Sequence, residues 1–283
     1  MGAEDTMTNF HTPHRVQAVV FDWAGTILDF GSRAPMGAFV QLFKDFGIDI
    51  TIAQARSPMG AAKSVHIHAL CSLPEVAAQW ERKYGKPVAT SDIDHLYEVF
   101  TPMNARVVGD FADFIPGALD VIAKLRADGI KIGSTTGYNR PIMDMLEPIA
   151  AKNGYAPDNI VCAGDLAAGR PSPLMMYRCF ADLGVWPAST VVKVDDTGVG
   201  IAEGLNAGCW TVGVAISGNA NGLSLPEWQA LPSAEQAAIR ATATKQLQDA
   251  GAHFVIDSVA DLMPVIAQIN QHLQKQELPA RAA

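Results

Sequence analysis

The stretch Val16–Asp29, VQAVVFDWAGTILD, constrains the fold of this chain more than any other. Its residues Val16, Ala18, Val19, Val20 and Phe21 form a short, β-branched-rich apolar run. Such a run predicts a strand buried on both faces in the middle of a parallel sheet. The run stops at Asp22, and Gly25-Thr26 follows at once. Open parallel sheets place their ligands at the carboxyl ends of the strands, where a turn can aim backbone N–H groups at an anion. Asp22 is therefore either a nucleophile or metal ligand, or a polar residue that only ends a strand. Its partners further along the chain decide between the two.

Beyond this strand the pattern changes. From Gly31 to Val108 the apolar residues recur at helical spacing: Phe39, Leu42, Phe43 and Phe46, then Val76, Trp80 and Tyr84, then Ile93, Leu96 and Phe100. Strand-like runs are missing here, so 31–108 is expected to be a helical insertion, with the core formed by 15–30 and 109–283 and a loose tail at 1–14. From Ile115 strands and helices alternate. Helices are expected over 116–128, 141–152, 173–183 and 199–207, and strands over 130–136, 159–165, 190–196, 209–216 and 253–258. A Gly/Pro/Ser-rich loop after 216 leads to an Ala/Gln-rich helix ending near Asp249. The alternation predicts an α/β fold, a doubly wound parallel (Rossmann-like) sheet.

Composition narrows the function. With 283 residues, 49% of them hydrophobic, the chain can bury one large core and a smaller one. A net charge of -8 argues against general nucleic-acid binding. No apolar run approaches the length of a membrane span, and residues 1–15 lack the apolar core of a signal peptide. The four cysteines form no CxxC pair, which points to a reduced cytoplasmic setting.

The strand ends carry the chemistry. The first gives Asp22; the second Ser134, Thr135 and Thr136; the fourth Asp195 and Asp196; and Arg170 follows the third. These ends converge on one rim, so the side chains can share a pocket. A carboxylate, a hydroxyl, a guanidinium and an acidic pair describe a site for phosphate and Mg2+, which binds through one or two carboxylates plus phosphate oxygens. Arginine adds bidentate phosphate contacts. Taken singly, Thr136 is a strand-end hydroxyl and Arg170 a surface charge; their joint placement makes the functional reading the stronger one.

This combination resembles the haloacid dehalogenase superfamily. Its motifs are carried by Asp22-Trp23-Ala24-Gly25-Thr26, by Thr136, by Arg170 and by Asp195-Asp196. The resemblance implies an aspartyl-phosphate intermediate on Asp22, a Mg2+ held at Asp22, Ala24 and Asp196, and a mobile cap at 31–108. Ala24 is a departure: phosphatases of the superfamily usually carry there a second Asp that protonates the leaving oxygen. Without it, a group leaving through carbon needs an electron sink, and a Schiff-base lysine supplies one.

A lysine is present at Lys63, in Ala55-Arg56-Ser57-Pro58-Met59-Gly60-Ala61-Ala62-Lys63-Ser64-Val65-His66-Ile67. Composition alone makes it a helix-surface lysine. The segment, with FDWAGT, STTGY and DDT in order, is similar to the phosphonatase branch of the superfamily over about 15–265. That similarity implies cleavage of the C–P bond of phosphonoacetaldehyde to acetaldehyde and phosphate. It assigns Lys63 as the imine-forming residue, Met59, His66 and Tyr138 as substrate neighbours, and Thr136 and Arg170 as catalytic. It also implies a homodimer. Some members carry a further Asp where this chain has Gly200, and Asp195 is the candidate to replace it in a second shell. An ordinary lysine is a free amine only about once in 2,500 at pH 7. Useful reactivity asks that deprotonation be made about 3–4 kcal/mol easier, by burial under the cap and the positive field of Arg56 or Arg170. The rivals are a phosphatase acting on a small phosphomonoester, a Schiff-base lyase without a phosphoenzyme, and a catalytically inactive binding module. Ala24 opposes the first, Asp22 and Asp196 the second, and the intact acids the third.

Overall fold

In a computed structural model of the chain, which describes residues 14–279, six parallel strands form one sheet. They are β1 (Ala18–Phe21), β2 (Lys131–Thr136), β3 (Val161–Cys162), β4 (Val191–Asp195), β5 (Trp210–Val214) and β6 (Phe254–Ile256), in the order β3-β2-β1-β4-β5-β6. The expected tail at 1–14 lies outside the described residues except for His14. The order reverses at β1, the switch point of a doubly wound sheet, where ligand crevices form.

Five helices fall within residues 31–108, after β1: α1 (Ala34–Asp45), α2 (Ile52–Arg56), α3 (Lys63–Cys71), α4 (Pro74–Tyr84) and α5 (Thr90–Val108). Seven more follow: α6 (Ala118–Ala127), α7 (Arg140–Lys152), α8 (Leu174–Leu183), α9 (Gly198–Ala207), α10 (Leu225–Ala230), α11 (Ser233–Asp249) and α12 (Leu262–Gln274). None of the described helices is long and apolar enough to cross a membrane.

β1 is apolar on both faces because both are covered. Val19 and Phe21 join a cluster with Ile122 of α6, Leu146 of α7 and Ile266 of α12. Ala18 and Val20 face the opposite layer, with Met176 and Cys179 of α8 and Ala207 of α9. The α1–α5 helices bury a separate cluster, in which Phe39, Leu42, Phe43, Trp80, Leu96 and Phe100 are almost wholly enclosed. α5 bridges the two units, since Val108 at its end joins the sheet's own cluster. It also meets α7 beside the site, where Asn139 donates to the Tyr97 hydroxyl at 2.6 Å.

Three elements depart from the sequence reading. The strand expected over 159–165 is cut to two residues, because Ala163 turns its N–H to both Thr136 and Tyr138 carbonyls and Gly164 takes a positive φ. The short helix α10 stands inside the expected loop, started by Ser224, whose hydroxyl accepts from Glu227 N–H. α12 closes the chain beyond the last expected strand.

Candidate active site

The carboxyl ends of β1, β2 and β4 bring the expected side chains together. Asp22 follows β1 directly, its N–H held by Val194 O of β4 at 3.0 Å. Asp195 ends β4 and Asp196 comes next. One carboxylate oxygen from each of Asp22, Asp195 and Asp196 lies within 4.8 Å of the others, all three buried. Gly25 allows this closeness on the other side: it has φ +80, and a Cβ there would stand 2.3 Å from Asp196 Oδ2.

Burial and the neighbouring carboxylate of Asp195 raise the Asp22 pKa. Asp196 is raised well above the ordinary range by burial and by Asp22 and Asp195. Asp195 is the exception: burial pushes it up, but Arg170 and Lys193 outweigh that and hold it below the usual value. Arg170 is buried and forms ion pairs with Asp22 (2.9 Å), Asp195 (3.3 Å) and Glu203 (3.0 Å). Lys193 lies 3.0 Å from Asp195 and 3.2 Å from Glu203, and donates to Thr135 Oγ1 at 2.7 Å. Of the four buried carboxylates, Asp22, Asp195 and Glu203 thus pair with Arg170 or Lys193, while Asp196 forms no ion pair among the described residues and accepts from Asn219 N–H at 2.7 Å. Such an all-oxygen cluster with a raised Asp196 fits a divalent hard cation. Asp22 and Asp196 supply the carboxylates, and Ala24, lacking a side-chain ligand, could add only its carbonyl.

A cavity of about 20 Å3 opens above the acids, room for about one water molecule. Asp22, Ala24, Thr136, Tyr138 and Asp196 line it from the core, and Met59, Gly60 and Lys63 from the helical unit. The fit between the halves is close. Gly60 has φ +87, and a Cβ there would stand 2.2 Å from Thr197 Oγ1.

Lys63 starts α3 but is only 4% exposed, so the helix-surface reading of this residue fails. Its Nζ lies 3.9 Å from Met59 Sδ, 5.0 Å from the Tyr138 ring centre and 5.7 Å from that of Phe39. Burial, first, and the positive Arg170 lower its pKa from 10.5 to about 8, against the opposing pull of Asp22 and Asp196. The Tyr138 hydroxyl is buried without a hydrogen-bond partner among the described residues.

Two expected site residues stand back from the cavity. His66 is sealed inside the helical unit, stacked on Phe39 at 4.0 Å, with Nε2 2.8 Å from Ala55 O. That contact assigns the proton to Nε2 and leaves Nδ1 bare. Burial, then Lys63, lower the His66 pKa to about 3, so the ring is neutral. Arg170 sits behind Asp22 rather than on the cavity wall. Arg56 is not among the charges acting on Lys63. Gly200 is explained by space: a Cβ there would lie 2.0 Å from the Asp195 carboxylate, which Thr197 N–H and Oγ1 hold at 3.0 and 2.7 Å.

Sequence reasoning missed Lys193 and Glu203, both fully buried behind the acids. The signal for the first was available: a lysine inside TVVKVDD, a run otherwise buried on both faces, needs buried partners. Glu203 is one of those partners, and it also accepts from Thr135 Oγ1 at 2.8 Å.

A parallel sheet with an acid triad at its switch point and a helical unit closed over it defines a capped hydrolase. The model of the haloacid dehalogenase-like hydrolase family matches residues 16–208. The chain is 54% identical to a phosphonoacetaldehyde hydrolase from Paraburkholderia phytofirmans, over 93% of this chain and 99% of that one. It is 48% identical to one from Salmonella gallinarum, over 94% and 99%. A phosphonoacetaldehyde hydrolase like protein from Oleispira antarctica superposes with a TM-score of 0.92 at 46% identity, covering 93% of this chain and 96% of its own. The chain belongs to the haloacid dehalogenase-like hydrolases, and within them to the phosphonoacetaldehyde hydrolase family.

Proposed function

We propose that this chain hydrolyses the C–P bond of phosphonoacetaldehyde, releasing acetaldehyde and phosphate. The observation that carries the reading is a buried lysine with a depressed pKa across one small cavity from Asp22, with Ala24 where an acid would serve a phosphatase. The close relatives bearing that enzyme's name support it.

In this reading the free amine of Lys63 condenses with the aldehyde and releases water. The Asp22 carboxylate attacks phosphorus in line. The C–P electron pair moves into the protonated imine, which becomes an enamine while Asp22 becomes an acyl phosphate. Protonation at carbon restores the imine, and water frees acetaldehyde from Lys63 and phosphate from Asp22. Arg170 holds Asp22 through one nitrogen and offsets charge as the phosphoryl group arrives. Thr136 donates to a phosphoryl oxygen, and Tyr138 and Met59 wall the aldehyde end. His66 acts through packing on Phe39, which lies against Lys63. Asp195 stands in for the acid absent at Gly200. Magnesium, held by Asp22, Asp196 and the Ala24 carbonyl, would supply charge stabilisation to the phosphoryl oxygens. Residues 31–108 are the mobile cap and 15–30 with 109–283 the core. Four buried free thiols support a cytoplasmic setting, and exposed Ile52 and Val65 offer apolar surface on the cap for a homodimer.

The direct test is release of acetaldehyde and phosphate from phosphonoacetaldehyde, with and without Mg2+. Hydrolysis of phosphoglycolate at a matching rate would favour the phosphomonoesterase reading instead. Two further results are expected. Asp196→Ala should raise the Mg2+ concentration for half-maximal turnover about tenfold or more. Without metal its Tm should hold or rise, because a repelled carboxylate is removed; a fall of several degrees would mean that Asp196 stabilises the empty site. Borohydride trapping of acetaldehyde should follow the free amine. With a lysine pKa of about 8, the initial rate rises about tenfold per pH unit below 8 and levels above it. A rate still climbing at pH 10 would show an ordinary lysine.

A further inference from the structure

Arg56 ends α2, just before the loop 57–62 that carries Met59 and Gly60 to the cavity and leads into Lys63. Its guanidinium is committed to oxygens across the seam. Nη1 donates to Gly31 O at 2.9 Å, to Asn219 O at 3.2 Å and to Asn219 Oδ1 at 3.1 Å, while Nη2 donates to Gly222 O at 3.0 Å. Asn219 Nδ2 returns a long contact to Arg56 O at 3.4 Å. Gly31 lies on the linker out of β1, and 219 and 222 on the turn beyond β5. A planar fork with five donors reaches three residues on two segments at once, which a lysine ammonium cannot do.

The same turn is wired into the acid cluster. Asn219 N–H donates to Asp196 Oδ2 at 2.7 Å, Ser217 Oγ donates to Gly25 O at 2.8 Å, and Gly31 N–H donates to Ser217 O at 2.7 Å. One cap side chain therefore grips the turn that also holds Asp196 and the loop after Asp22. The cavity between the halves has room for about one water, less than a seven-heavy-atom phosphonate needs, so the seam must part to admit it. A second cavity of about 450 Å3, lined by Arg56, Ser57, Met59, Asp196, Thr197 and Asn219 among others, runs along that seam.

We propose that Arg56 is a positioning residue that latches the Lys63 half of the site onto the Asp22 half. Seating its guanidinium among the oxygens of Gly31, Asn219 and Gly222 fixes the loop 57–62 over the cavity and orders the turn that donates to Asp196. The two halves of the reaction, imine on the cap and phosphoryl transfer on the core, are thereby brought into register by one contact set. The inference rests on the reading of 31–108 as a cap that carries the imine lysine.

The test uses full-length Arg56→Ala and Arg56→Lys. In the substrate-free Ala variant, amide hydrogen exchange should speed up about tenfold in both 57–62 and 217–223, while β1 and β4 stay protected. With phosphonoacetaldehyde, KM should rise and kcat fall, each about tenfold; Arg56→Lys should recover part of the loss, and added guanidinium ion should restore part of it to the Ala variant. Unchanged exchange, or a change in only one of the two segments, overturns the latch. So does a loss of protection spread over the whole chain, or activity that falls only with the folded fraction at unchanged KM. Should the wild-type enzyme fail to release acetaldehyde, the functional reading falls while the exchange result still decides the latch.

Discussion

Lys63→Arg is expected to lose C–P cleavage by at least about 10³-fold while keeping the fold. The substitution preserves a positive charge near Asp22 but removes the amine lining the cavity, and a guanidinium does not form the imine. With no imine, the electrons of the C–P bond have no acceptor, and Ala24 offers no acid in its place. The loss should therefore appear in kcat rather than KM, and borohydride should no longer inactivate the variant in the presence of acetaldehyde. Circular dichroism and Tm close to wild type would separate this from misfolding. A variant that still turns over within about tenfold of wild type would remove the lysine from the chemistry.

Asp22→Asn is expected to cost at least about 10⁴-fold in kcat, because an amide cannot form the acyl phosphate. Its effect on stability should have the opposite sign. Asp22 is buried beside Asp195 and Asp196; burial first, and then the neighbouring carboxylates, raise its own pKa (through Asp195) and that of Asp196 (through Asp22 and Asp195). The amide removes one of the repelling charges, and Arg170 keeps Asp195 and Glu203 as partners. Tm of the metal-free variant should thus match or exceed that of wild type. Full activity in the Asn variant would end the aspartyl-phosphate account, and a large fall in Tm would show that the Asp22–Arg170 pair stabilises the fold more than the cluster strains it.

The core was legible because a strand covered on both faces leaves a mark: β1 is an unbroken apolar run and β4 one broken only by Lys193, each followed by an acid, and Asp22, Thr136, Asp195 and Asp196 fall where the sheet's switch point requires. The helical unit was legible from spacing alone, since Phe39, Leu42, Phe43, Leu96 and Phe100 all enter its cluster. α12 was overlooked although Leu262, Val265, Ile266, Ile269 and Leu273 repeat at helical spacing. Other features have no local signature. Nothing near Arg56 says that its partners are carbonyls at 31, 219 and 222, because those residues lie 25, 163 and 166 positions away along the chain. Lys63 as a buried residue was equally hidden: α3 alone has little amphipathic character, and the core seals it only after the two units close. Its resemblance-based assignment needed the segment around it, not its composition.

Mass spectrometry of enzyme quenched with borohydride during turnover of phosphonoacetaldehyde tests the central claim most directly. An imine reduced before C–P cleavage leaves a phosphonoethyl group on the lysine, and one reduced after cleavage leaves an ethyl group. The account predicts that the label sits on Lys63, that the ethyl form accumulates with phosphate release, and that Asp22→Asn yields only the phosphonoethyl form. Acetaldehyde and phosphate released at the normal rate with Lys63 unmodified, or with the label on another lysine, would contradict it.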